Sequence, residues 1–171
     1  MNKYLKNLNR IEFVVTMACK GRCKHCSQGE RRNSGNIDKN TAADAVRRIA
    51  AEYEIKSVMT FGGEPLLCPE TVCEIHKAAR EMNIPKRQLI TNGFFCRDTG
   101  RINRIAREII DSGVNEILLS VDAFHQETIP LEYVIEFAEA VKTADITFRV
   151  HPAWLVSPEN NNVYNEKTRE I

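Results

Sequence analysis

The residues Cys19-Lys20-Gly21-Arg22-Cys23-Lys24-His25-Cys26 place three thiols within eight positions. Thiolates are soft ligands that select zinc, copper(I) or iron–sulfur clusters. A structural zinc site normally completes four ligands. His25 is at hand, but it lies between two cysteines and would reach the same ion only with poor geometry. Three cysteines on a short loop instead suit a 4Fe–4S cubane with three irons held by protein and one left open. Zinc, or thiols with a purely structural role, stands as the alternative.

A second set of polar residues punctuates the ends of apolar runs. Gly62-Gly63-Glu64-Pro65 follows the run ending at Phe61. The two glycines allow close backbone approach to a ligand, and Glu64 can accept a bond from an ammonium group. An ordinary strand-to-helix turn is the plainer reading of the same four residues. Thr91-Asn92-Gly93, Ser120-Val121-Asp122 and Arg149-Val150-His151 occupy equivalent places further on. Thr-Asn-Gly is also common turn chemistry, whereas Ser120 interrupts an apolar strand at its end. Asp122 could make a local turn, His125 with Gln126 could cap a helix, and Arg149 could point outward from an alternating strand.

These groups must be positioned by a repeating frame. Ile11–Thr16 is short, β-branched and apolar, and is predicted as a buried first strand. The stretch from Cys19 to Asn36 is then a loop of a length that implies function. Asp38 is a suitable cap for a helix carrying Ala42, Val46, Ile49, Ala50 and Tyr53 on one face. Ile55–Phe61 is predicted as the second strand. The helix after it opens at Pro69 and buries Val72, Ile75, Ala79 and Met82. Gln88–Thr91 is the third strand, and its helix buries Ile102, Ile105, Ala106, Ile109 and Ile110 before stopping at Gly113. Glu116–Val121 is the fourth strand. Pro130 opens a helix with the stripe Val134, Phe137, Ala138 and Val141, and Ile146–Val150 is the fifth strand. Such strand–helix steps predict consecutive βαβ units and a parallel sheet, whose functional groups gather at the strands' carboxyl ends. At 171 residues the chain is too short for a closed eightfold barrel, which needs about 250.

The C-x3-C-x2-C loop after a first strand, joined to GGEP after a second, resembles the radical S-adenosylmethionine (SAM) enzymes, from Ile11 to about Trp154. The resemblance implies an α/β fold, an open partial barrel of five or six parallel strands. Only five strands are visible, and the tail Asn165–Ile171 reads as a helix without stripe or cap. Residues 1–171 are therefore expected to be one core domain, with 1–10 an N-terminal extension and 155–171 the start of a C-terminal part cut short.

The resemblance also implies roles. Cys19, Cys23 and Cys26 would hold a 4Fe–4S cluster whose open iron takes the amino nitrogen and carboxylate of SAM. Gly62, Gly63, Glu64 and Pro65 match the segment that holds SAM's methionyl amino group. His25 stands where the family often has an aromatic residue near adenine. Thr91, Asn92 and Ser120 resemble positions that contact ribose or carboxylate. Asp122, His125, Arg149, His151 and Trp154 are candidate contacts from later strand ends. The family's Gly-containing fifth-strand motif is not evident in Ile146–Val150. One-electron cleavage of SAM to a 5′-deoxyadenosyl radical would need a reductant such as flavodoxin or ferredoxin, and the substrate is open: small molecule, peptide or partner protein. Oxidoreductase, transferase and glycyl-radical activase all fit. A zinc- or cluster-binding interaction module without catalysis is the rival from another class.

The balance of 24 basic against 23 acidic residues gives no general footprint for nucleic acid or membrane. Lys20, Arg22, Lys24, Arg31 and Arg32 cluster by the cysteine loop and read as a solvated charged surface. No apolar run reaches membrane-spanning length, and MNKYLKNLNR lacks the apolar core of a signal peptide. With six cysteines in one tight cluster and three scattered sites, a reducing, cytoplasmic setting is expected. Cys68, Cys73 and Cys96 read as small apolar fillers.

Overall fold

The computed structural model describes residues 7–27, 29 and 35–171. Arg31 and Arg32, and most of the expected N-terminal extension, lie outside them. Five strands, Arg10–Val14 (β1), Ser57–Phe61 (β2), Lys86–Thr91 (β3), Glu116–Leu119 (β4) and Thr147–Val150 (β5), form one sheet in the order β1-β2-β3-β4-β5. Every pairing is parallel. Parallel neighbours need a long crossover, and Lys39–Glu52 (α1), Pro69–Glu81 (α2), Thr99–Ser112 (α3) and Leu131–Lys142 (α5) supply it. A single helical turn, Ala123–Gln126 (α4), and a last helix, Val163–Glu170 (α6), complete the frame. This is the open partial barrel expected from the sequence.

Local chemistry sets the helix ends. Asp38 accepts from the Thr41 amide at 2.8 Å and starts α1, and Asp98 does the same for α3 through Arg101 at 2.7 Å. Pro69 stands at the first position of α2, where its missing N–H costs nothing. Gly113 ends α3 at φ 105°, a left-handed conformation that favours glycine.

The core lies between the helices and one face of the sheet. Ile11, Phe13, Val58, Leu89, Ile117 and Leu119 meet the stripes Val46, Val72, Ile75, Ile102, Ile109, Val134, Phe137 and Val141. The other face carries the register row Glu12, Met59, Gln88, Glu116 and Thr147. It is open at the edge strands, where Arg10, Glu12, Val14, Thr147 and Arg149 are exposed.

The tail departs from expectation. Helix α6 does have a cap: Asn162 Oδ1 accepts from the Tyr164 and Asn165 amides. Its buried residues are Asn165 and Thr168, so no apolar stripe announced it. Asn165 is wholly buried, its amide nitrogen donating to the carbonyls of Ser157 and Asn160 at 2.8 Å, and the Ala123 amide donates to Thr168 Oγ1 at 3.0 Å. No helix among the described residues is long and apolar enough to cross a membrane.

Candidate cofactor site

The cysteine loop is closed at its stem and gripped from outside. Ile37 N donates to Val15 O at 3.0 Å, and Thr16 bridges Asn36. Within the loop, Cys26 N donates to Cys23 O at 3.1 Å. Arg22 N donates to Thr128 Oγ1 at 2.8 Å, and Lys24 Nζ reaches Glu127 Oε1 and the Tyr164 hydroxyl, each at 2.9 Å.

The two glycines after β2 serve the loop's backbone first. Gly62 has φ +142°, and a Cβ there would stand 2.4 Å from the Thr16 carbonyl oxygen; one on Gly63 would stand 2.2 Å from that of Ala18. Gly63 N donates to Thr16 O at 2.7 Å, and Glu64 N to Ala18 O at 2.8 Å. The end of β2 is thereby zipped to the chain entering the cysteine loop, and Gly62 and Gly63 still line the adjoining cavity.

Glu64, expected as an acceptor for an ammonium group, follows these glycines. Its carboxylate is wholly buried and does not line the cavity. Pro65 begins a short 3-10 turn, Pro65–Leu67, and is itself buried. Glu64 folds back under that turn and accepts from Leu66 N at 2.9 Å, the Thr91 hydroxyl at 2.7 Å and Asn92 N at 2.9 Å. Burial pushes its pKa up to about 7, with the three hydrogen bonds opposing. Glu64 thus ties β2 to β3.

That tie positions Asn92. Its Oδ1 accepts from Phe94 N at 2.9 Å, so its Nδ2 faces the Cys19 sulfur at 3.4 Å, which also takes the Gly21 amide at 3.3 Å.

At the end of β4, Asp122 is also buried and does not line the cavity. It starts α4 by accepting from Phe124 N and His125 N on Oδ1, and takes His125 Nδ1 at 2.7 Å and Ala153 N at 2.9 Å on Oδ2. Burial raises its pKa, but the His125 and Ala153 hydrogen bonds and the His125 charge outweigh this and leave it below the ordinary value. The ligating atoms of His25, Asp122 and His125 lie within 4.8 Å of one another. Since four donors already occupy the Asp122 oxygens, this is a hydrogen-bonded group and not an open metal site. His25 packs edge-on against His125 at 4.7 Å and tilted against Phe124 at 4.9 Å. That packing lowers its pKa, with His125 adding and Asp122 opposing. Arg149, expected as a carboxylate partner, is exposed and sits 3.6 Å from Glu116 Oε1 on the sheet's open face. Neither it nor Trp154 lines the cavity.

Cys19, Cys23 and Cys26 share a cavity of about 330 Å³ with His25, Gly62, Gly63, Thr91, Asn92, Ser120, His125 and His151. Its size suits a small ligand. Phe61 and Ile90 join them from the sheet, and Ser27, Pro152 and Ala153 from the loops. Sequence reasoning missed these five; for the two apolar residues the available signal was position one or two residues before a functional strand end. The three sulfurs, with N–H donors on one of them and no fourth protein thiol at hand, fit a cluster with an open iron. Cys68, Cys73 and Cys96 stay away from the cavity. Burial raises the Cys68 and Cys73 thiols, the latter to about 11, which keeps them inert.

A family model described as the Radical SAM superfamily matches residues 13–160. A probable GTP 3',8-cyclase from Methanocaldococcus jannaschii is 24% identical over 127 residues, covering 74% of this chain and 40% of that protein. A GTP 3',8-cyclase from Tolumonas auensis is 25% identical over 148 residues, covering 82% of this chain and 42% of that protein. The chain thus spans about two fifths of the length of these relatives. Among solved structures, anSMEcpe with bound AdoMet superposes with TM-score 0.61 at 20% identity, over 84% of this chain and 42% of that one. BtrN in complex with AdoMet and 2-DOIA does so with TM-score 0.56 at 16% identity, over 84% of this chain and 56% of that one. At these identities the likeness is one of fold.

Proposed function

This chain belongs to the radical SAM superfamily, and we propose that it binds a 4Fe–4S cluster through Cys19, Cys23 and Cys26 and reductively cleaves SAM. When bound, the cluster and SAM supply one-electron breakage of a carbon–sulfur bond, giving a 5′-deoxyadenosyl radical that abstracts hydrogen from a substrate. The observation that carries this reading is the single cavity joining the three cysteines to the glycines after β2 and to Thr91, Asn92 and Ser120.

The chain's own residues divide the work. Asn92 and Gly21 donate to the Cys19 sulfur, a contact that tunes a cluster's potential. The Gly62–Gly63 backbone takes the methionyl end of SAM, His25 takes the adenine side, and Thr91 and Ser120 take the ribose or carboxylate. Glu64 and Asp122 act through others, the first by fixing Asn92 and the second by fixing His125. Electrons come from a flavodoxin- or ferredoxin-type donor, and the chemistry proceeds in the cytoplasm. GTP, named for the relatives, is not carried over: among the described residues no lysine or arginine lines the cavity. The zinc-module alternative is disfavoured because His25, the ligand nearest to completing a site, is packed against Phe124 and His125.

The test is electron paramagnetic resonance of the anaerobically reconstituted, reduced protein, with and without SAM. A cluster signal that changes when SAM is added is expected. Cys19→Ala, Cys23→Ala or Cys26→Ala should each remove it. Stoichiometric zinc without a cluster signal, or a signal indifferent to SAM, would overturn the reading.

A further inference from the structure

Tyr164 lies on the last helix, well outside the cavity, yet an unbroken set of ring contacts links it to the wall. Its ring stacks on Phe124 at 4.3 Å with only 6° between the planes. Phe124 meets His25 at 4.9 Å, and His25 meets His125 at 4.7 Å. His25 and His125 line the cavity, while Phe124 between Tyr164 and His25 is buried. At the other end of the same ring, the Tyr164 hydroxyl receives Lys24 Nζ at 2.9 Å and donates to Glu127 Oε1 at 3.2 Å. Lys24 precedes His25 in the chain, so α6 holds this segment of the cysteine loop from two directions.

We propose that Tyr164 is a positioning residue for cofactor binding: through Phe124 it fixes His25 as a rigid wall for a planar, purine-bearing ligand. This rests on reading the cavity as a SAM site. The two grips are unequal. Lys24 and Glu127 are solvent-exposed, and such pairs contribute little. Aromatic pairs contribute more, so the ring and not the hydroxyl carries the effect. A planar ligand gains from a wall that is already immobile, because little ordering remains to be done on binding.

The experiment measures SAM binding by calorimetry to the anaerobically reconstituted full chain, alongside iron content and far-ultraviolet circular dichroism. Tyr164→Leu should keep its iron and bind SAM about three- to tenfold more weakly. Tyr164→Phe, which retains the ring, should recover most of the affinity. Phe124→Leu interrupts the same contacts one ring nearer the cavity and should reproduce the loss, so the outcome does not depend on one variant folding. 5′-Methylthioadenosine, which carries the purine without the amino acid, should weaken in parallel with SAM, and methionine should not. Unchanged SAM affinity in the folded Leu variants overturns the proposal, as does equal weakening of Tyr164→Phe or of methionine binding. A wild-type protein that holds its cluster but binds no SAM removes the underlying reading instead, since there is then no affinity to lose.

Discussion

Glu64 and Asp122 are both fully buried carboxylates, and their surroundings drive them in opposite directions. Three donors do not offset the burial of Glu64. The Asp122 oxygens accept four, one of them from an imidazole. The difference sets what each substitution costs. Glu64→Gln leaves one amide, Asn92 N, facing an NH2 group, for about 1–3 kcal/mol. Asp122→Asn strands Ala153 N and also replaces the charged acceptor of His125 Nδ1 by a neutral amide, for about 2–4 kcal/mol. Urea denaturation at neutral pH compares them, and equal costs would contradict the hydrogen-bond count. Both residues were legible as polar groups at strand ends, but not as buried ties. A side chain's direction depends on the turn that follows: Pro65 sends the backbone into a tight turn under which Glu64 folds, and α4 begins immediately after Asp122. Arg149 was ambiguous for a related reason, since its partner Glu116 lies one strand away and 33 positions earlier in the chain.

At the scale of elements, the junction of β2 with the cysteine loop is the part least able to change. A Cβ on Gly63 would meet a backbone oxygen at 2.2 Å, and hydrogen bonds on both sides hold that oxygen's segment in place. Gly63→Ala should therefore cost about 2–4 kcal/mol and lower the iron retained per chain, because the loop must move to admit a methyl group. Gly100→Ala in α3, whose nearest new neighbour is a side-chain oxygen at 3.2 Å, is the control and should change stability by no more than about 1 kcal/mol. Thermal melts with iron analysis distinguish the two, and a Gly63→Ala protein of wild-type stability and iron content would contradict the close approach. The five strands and four crossover helices were legible because each has an apolar pattern of the right period, though observed strands begin up to two residues from expectation. Helix α6 was legible only as a helix without stripe or cap, because it buries Asn165 and Thr168, whose value lies in hydrogen bonds that no periodicity records.

Across the whole molecule, two buried groups govern the response to mild acid, and they oppose each other. Glu64 has its pKa raised from 4.5 to about 7. Its folded form holds a proton that the unfolded form lacks, so its contribution is full below 4.5 and is lost as pH rises through about 7. His76, buried on α2 with Nε2 2.9 Å from Thr60 Oγ1, has its pKa lowered from 6.5 to about 3 by burial and by the Arg87 charge. Its unfolded form binds the extra proton, so its contribution is present above 6.5 and is lost as pH falls toward 3. Between pH 6.5 and 4.5 the slopes, each about 1.4 kcal/mol per pH unit, cancel. Stability from these two groups should be flat there and fall below pH 4.5, where His76 acts without its counterweight and Asp122, with its lowered pKa, joins it on protonation. His76→Leu removes one arm, and its stability should rise on acidification from pH 7 to 4.5. Glu64→Gln removes the other and should lose stability over the same range. Urea melts of the three proteins across pH 4–8 test this, and parallel profiles would mean that neither buried group is linked to folding.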